Sequence, residues 1–190
     1  MSLPAHAPRV FSIVAAVLLA VAALLALIGA VLPRDWRVEA SVVIEASPAE
    51  IHAFVNDLSH WTEWAQWDRS TLSPENRVSQ PSSGPGAHLT WYDQRAEPAR
   101  AAGEVRIIES DPARGVWFEN RVRGDASQAS LTFAPRAGGT VVTWHDSGLL
   151  TPIVGSLFRD YFQQRLSAHM SVGLERLRER VRAQRTSGVR

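Results

Sequence analysis

The sequence predicts an α+β domain in which a curved antiparallel sheet wraps one long C-terminal helix, preceded by a single transmembrane helix. Three observations lead there. The chain from Val10 to Leu32 carries no charge. A series of segments between Trp36 and Asp146 alternates apolar and polar residues with turn residues between them, the pattern of strands with one covered face. From Thr151 to Arg182, Ile153, Leu157, Tyr161, Phe162, Leu166, Met170, Leu174, Leu177 and Val181 recur in steps of three and four. That spacing puts them on one helical stripe, with Arg159, Arg165, Glu175 and Arg178 off it.

Taken in order, the run Val10–Leu32 spans roughly 34 Å as a helix, enough for a hydrocarbon core of about 30 Å. It exceeds the apolar region of a cleaved signal, about 7–15 residues, so an uncleaved anchor is expected. The expected boundaries are a tail at 1–9, a transmembrane helix at 10–32, a domain at 36–183 and a basic tail at 184–190. Arg9 on one side and Arg34 and Arg37 on the other leave the membrane side of the domain open.

Trp36 to Ala46 alternates as a strand. Ser47, Pro48 and Glu50 then form a capping box with proline at the first helical position, opening a short helix over Pro48–Asn56. Ser59 is expected to cap a second short helix carrying Trp61 and Trp64, with Trp67 beyond. Arg69–Gly86, rich in Ser, Pro and Gly, reads as loop with a short strand near Val78. Strands are expected at Ala87–Tyr92, Ala101–Glu109, Val116–Arg123, Gln128–Ala134 and Thr140–Asp146, with Asp111-Pro112, Gly124-Asp125 and Gly138-Gly139 at turns. A twisted antiparallel sheet of this kind can curl around the long amphipathic helix, which cannot bury its stripe alone.

Composition closes several routes. Net charge is +1, so nothing points to nucleic acid. Cysteine is absent, which removes disulfides, thiolate nucleophiles and zinc–thiolate sites. Every basic residue other than histidine is Arg, so lysine Schiff-base chemistry is excluded. The six histidines show no metal-ligand spacing. His145 and Asp146 are neighbours on a strand and so point to opposite faces. No metal, cofactor or catalytic residue is therefore expected.

Ile44-Glu45-Ala46-Ser47-Pro48, Asn56-Asp57-Leu58, Trp61, Trp64 and Trp67 form a pattern. So do Gly84-Pro85-Gly86-Ala87, Ile108-Glu109-Ser110-Asp111-Pro112 and Gly139-Thr140-Val141-Val142-Thr143-Trp144. Together they resemble the polyketide cyclase/dehydrase branch of the START-like, birch-pollen-allergen-like (SRPBCC) superfamily, over roughly residues 36–182. The resemblance implies a helix-grip fold whose cavity, between sheet and C-terminal helix, holds a lipid-like or polycyclic molecule. A transmembrane helix ahead of such a domain also resembles a bacterial subgroup, which implies a single-pass protein of the bacterial inner membrane.

Facing gives the candidate cavity residues. On the strand before Gly124, Asn120 shares a face with Val116, Phe118 and Val122; on the last strand, Asp146 shares one with Val142 and Trp144. Trp91 reads inward with Ala87 and Leu89, and Tyr161 and Met170 come from the long helix. Gly173 either opens cavity space or permits close helix–sheet contact. Trp61, Trp64 and Trp67 make either an aromatic wall at the cavity mouth or a wedge between the short helices and the core. Three functions fit: a membrane-tethered module binding a hydrophobic molecule, a cyclase or dehydrase using Asn120, Asp146 or Tyr161, and a protein-interaction module. The arginine-rich tail suits the helix dipole or anionic lipid.

Overall fold

The computed structural model describes residues 7–65, 76–93, 100–122, 124–151 and 154–187. Trp67 and Ile153 lie outside them, as do residues 69–75 of the expected loop. The chain divides into two compact units, Met1–Arg34 with Leu150–Arg159, and Asp35–Leu149 with Asp160–Arg190.

The first unit is built on helix α1, Ala7–Val31. Its stretch Phe11–Val31, 21 residues of mean hydropathy 3.0, is long and apolar enough to cross a membrane. Most of its large side chains are exposed, Leu19 at 72% and Phe11 at 78%. A short helix α4, Val154–Leu157, packs on α1. Leu150 N–H donates to the Arg34 carbonyl (2.8 Å), and the Arg34 side chain donates back to the Leu150 carbonyl (3.1 Å).

The second unit holds a seven-stranded antiparallel sheet in the order β1-β7-β6-β5-β4-β3-β2. The strands are β1 Asp35–Ile44, β2 Arg77–Val78, β3 His88–Asp93, β4 Arg100–Asp111, β5 Gly115–Val122, β6 Asp125–Arg136 and β7 Gly139–Leu149. Burial alternates without a fault along β1, from exposed Asp35 to buried Ile44. One face is therefore covered, as the alternation of the sequence requires. Register shifts between Trp91 and Tyr92 and between Ile107 and Glu109 bend β3 and β4 and curl that side of the sheet. Gly115 (φ 140°) starts β5 against the Leu131 carbonyl, where a Cβ would sit 2.1 Å from that oxygen, so only glycine fits.

Helix α2, Pro48–Val55, begins with the expected capping box: Ser47 accepts from Glu50 N–H, and the Glu50 carboxylate accepts from Ser47 N–H (2.7 Å). The next cap differs from expectation. Asp57, not Ser59, caps a 3₁₀ turn at Leu58–His60, because its carboxylate accepts from both the Ser59 N–H (2.9 Å) and hydroxyl (2.7 Å). The turn leads directly into α3, Trp61–Trp64. Trp61 and Trp64 are 1% and 0% exposed, which places them in the core as a wedge rather than at a cavity mouth. Trp61 stands edge-on to Phe118 with ring centroids 4.9 Å apart, and its indole donates to the Val55 carbonyl (2.9 Å).

The long helix α5 runs from Arg159 to Ser187. It starts later than the expected Thr151, since α4 ends at Leu157 and a turn intervenes. Its stripe is buried only in part. Met170, Leu174, Leu177 and Val181 are at most 2% exposed, whereas Tyr161 is 64% and Phe162 37% exposed. The C-terminal half thus buries its stripe against the sheet, while the first turn of α5 leaves Tyr161 and Phe162 largely exposed.

This asymmetry is measurable as stability. Leu177→Ala is expected to cost about 2–5 kcal/mol through loss of buried surface and a residual cavity. Tyr161→Ala is expected to stay within about 0.5 kcal/mol. Denaturant titration of the full-length protein in detergent, followed by tryptophan fluorescence, checks both.

Candidate functional site

The concave face is apolar but for Thr140 at one end, whose hydroxyl donates to the Ala46 carbonyl, and a polar cluster at the other. Reading across the sheet in register, one row runs Trp36–Gly148–Ser127–Asn120–Val105–Leu89, and the row beside it Val38–Asp146–Ala129–Phe118–Ile107. Asn120, Ser127 and Asp146 therefore converge from three adjacent strands. Asn120 Nδ2 donates to Asp146 Oδ2 (3.2 Å) and lies 3.3 Å from Ser127 Oγ.

Asp146 is 6% exposed, and its Oδ1 has no hydrogen-bond partner among the described residues. Burial raises its pKa from 3.8 to about 6; hydrogen bonds from Ser127, the Ser147 backbone and Asn120 hold it from going further. Desolvation wins because a carboxylate loses most of its hydration here and gains only neutral donors. Two more polar atoms in the core, the indole nitrogens of Trp144 and Trp64, also have no hydrogen-bond partner among the described residues. Each such atom costs about 1–3 kcal/mol when left unpaired.

Tryptophans flank this cluster. Trp36 lies over Gly148, where a Cβ would come 3.1 Å from its ring, and meets Phe162 of α5 edge-on at 5.0 Å. Trp91 lies over Gly103 so closely that a Cβ there would sit 2.1 Å from the ring. Gly103 is thus required by the aromatic side chain on the neighbouring strand, whereas at Gly148 a side chain would make Trp36 shift by a few tenths of an ångström. Below the cluster, Trp144 and Trp64 pack at 5.8 Å in a T-shaped pair. Gly173 sits against them, with a Cβ position 3.2 Å from Trp144 and 3.5 Å from the Trp64 carbonyl oxygen. Of the two readings of Gly173, close contact is the one the packing has.

The sequence-derived residues thus fall into groups. Asn120 and Asp146 bond each other, while Trp91 reaches the same end of the face from β3. Trp144, Met170 and Gly173 form the packed floor. Tyr161 does not join them, because the helix turn that carries it is uncovered. Sequence reasoning missed Trp36 and Ser127. Their signal is register: Trp36 stands opposite Gly148 and Ser127 opposite Asn120, which alternation alone does not reveal.

Another pairing resembles a catalytic dyad and is not one. His52 Nε2 lies 2.7 Å from Ser110 Oγ, but Ser110 donates its proton to Asn56 Oδ1 (2.6 Å). Gly84 N–H also donates to that Oδ1, which fixes it as the acceptor. His52 must then donate to Ser110 and cannot take its proton. Burial holds the His52 pKa below its usual value, against the pull of Asp111. The network ties α2 to β4.

The raised pKa of Asp146 makes a stability prediction. Between about pH 4 and 6 the folded protein keeps a proton that the unfolded chain has lost, so stability falls as pH rises across that window. The expected loss from this group is on the order of 3 kcal/mol. Asp146→Asn should remove the slope and raise the melting temperature at pH 8. Thermal melts of both proteins from pH 4 to 8 measure it, and parallel curves would contradict it.

The comparisons with known proteins fit this geometry. No curated protein matches the chain by sequence. Among solved structures, a protein of unknown function from Staphylococcus aureus superposes with a TM-score of 0.62 at 12% identity, covering 80% of this chain and 96% of its own. The di-domain ARO/CYC StfQ of the steffimycin biosynthetic pathway gives 0.61 at 9% identity, over 80% of this chain and 52% of that one. Norcoclaurine synthase of Thalictrum flavum, a point mutant bound to a transition-state analogue, gives 0.59 at 9% identity, over 80% and 96%. At these identities they share the helix-grip fold and nothing further. The family described as polyketide cyclase / dehydrase and lipid transport matches residues 35–182, from the start of β1 to the last turns of α5. The chain belongs to that family.

Proposed function

We propose that the protein is a membrane-tethered binding module. It takes a lipid-like or polycyclic molecule against the concave sheet face, at the end where Asn120, Ser127 and Asp146 meet. The observation that carries this is Asp146. It is a buried carboxyl with one oxygen unpartnered, on a face otherwise lined with Trp36, Trp91, Trp144 and Phe118. An apolar site with a few convergent polar groups suits a hydrophobic ligand held in one orientation. The ligand's polar end would be a hydroxyl or phenol, which can donate to Asp146 and accept from an indole N–H. α1 would serve as the anchor.

Native mass spectrometry of the detergent-extracted protein tests this, with the bound molecule identified by lipidomic analysis. The wild type is expected to retain an apolar hydroxylated molecule. Asp146→Leu should bind it roughly 10–100-fold more weakly, the loss of one hydrogen bond to a charged group. A wild-type protein that carries no such molecule and binds none from a membrane extract would sink the reading.

A second reading is a cyclase- or dehydrase-type enzyme, favoured by the pKa of Asp146 at about 6. A carboxyl titrating there can both accept and return a proton near neutral pH, with Asn120 orienting it. In that case Asp146→Asn keeps the ligand bound and abolishes turnover.

A further inference from the structure

We infer that the segment Leu150–Arg159 is a second membrane-contacting element, which lies in the bilayer interface where α1 emerges and inserts Leu157 and Phe158 beside it. This rests on reading α1 as the membrane anchor.

α1 and this segment belong to one compact unit. The stretch able to span a membrane ends at Val31. Arg34 follows three residues later, so its backbone lies within about 10 Å of that end even if the chain is fully extended. Arg34 is bonded to Leu150 in both directions, its carbonyl accepting from Leu150 N–H (2.8 Å) and its side chain donating to the Leu150 carbonyl (3.1 Å). The segment therefore starts at the level where the span stops. α4 packs on α1. In the last turns of α1 Gly29 is buried and Ala26 half-buried, while their neighbours are exposed.

A segment against the final turns of a span is at interface depth. Of the side chains described there, Leu157 is 37% and Phe158 61% exposed. Both are apolar, no charged residue stands between Leu150 and Phe158, and Arg34 is placed to meet headgroups. Of the available surfaces, a lipid bilayer suits this chemistry, since α1 already holds the segment at that level. Apolar side chains at such positions bury about 5–10 Å into the boundary between headgroups and acyl chains.

The absence of cysteine makes the test free of background labelling. Single-cysteine variants Leu157→Cys, Phe158→Cys, Leu19→Cys in α1 and Ala137→Cys in the β6–β7 turn would each carry a nitroxide. The full-length proteins are reconstituted into phosphatidylcholine–phosphatidylglycerol vesicles. Collisional relaxation by oxygen and by a water-soluble nickel chelate then reports depth. Labels at 157 and 158 are expected about 5–10 Å below the headgroups, with the label at 19 deeper and that at 137 in water. Nickel access at 157 and 158 equal to that at 137, with 19 still deep, would show an anchored protein whose segment misses the bilayer. Exclusion of both oxygen and nickel at 157 and 158 would mean burial against protein, which also overturns the inference. A label at 19 exposed to nickel removes the anchor, and the inference falls with it.

Discussion

The domain depends on how far one helix is held. α5 presses its C-terminal half onto the sheet through Met170, Leu174, Leu177 and Val181. Gly173 lets the backbone settle against Trp144 and the carbonyl of Trp64. Burying each of those four side chains is worth roughly 1.5–3 kcal/mol. The surface ion pairs Arg180–Glu63 (3.7 Å) and Arg185–Glu50 (3.4 Å), which link the same half to α3 and α2, are exposed and add little. The N-terminal half is tied to β1 by the edge contact of Phe162 with Trp36 and a bond from Gln163 to the Arg37 carbonyl (3.0 Å). The grip closes at one end and stays loose at the other.

That asymmetry determines where polar chemistry can sit. At the closed end the sheet face is filled with Ile44, Leu131, Val142 and the two helix-borne tryptophans, and a carboxyl would be ruinous there. At the loose end Asp146 is tolerated, because Asn120, Ser127 and the Ser147 backbone solvate it in part. The partial solvation keeps its pKa near 6 rather than higher. A residue placed for stability alone would be apolar at this position. Asp146 Oδ1 and the indole nitrogens of Trp64 and Trp144 have no hydrogen-bond partner among the described residues.

Much of this was legible in the residues. Strict alternation gave β1 its inward face at every position, and the capping box fixed the start of α2. The family pattern extended those local signals to the order of strands. What stayed hidden was non-local. Whether Asp57 or Ser59 caps the turn depends on which oxygen reaches which N–H, and both residues are good caps. The apolar stripe on α5 has the same spacing at Tyr161 as at Leu177, yet only the latter is covered. Periodicity reports which side of a helix is apolar and not whether anything lies against it. Ser127 and Trp36 became site residues only through register, which joins residues far apart in sequence.

The pairing of β1 with β7 has a kinetic side. Ser41 meets Thr143 across 102 residues of sequence, and Thr140 reaches back 94 residues to the Ala46 carbonyl. β1 stands at the sheet's edge with β7 as its neighbour, so the first strand to be synthesised has no place to dock until the last one exists. The helix that covers both is made later still. Loop closure on this scale is slow compared with forming the hairpins from β3 to β7. On this argument β1 docks after those hairpins, and its alternate residues Trp36, Val38, Ala40, Val42 and Ile44 stay unpaired until then, next in sequence to the chain's most hydrophobic segment.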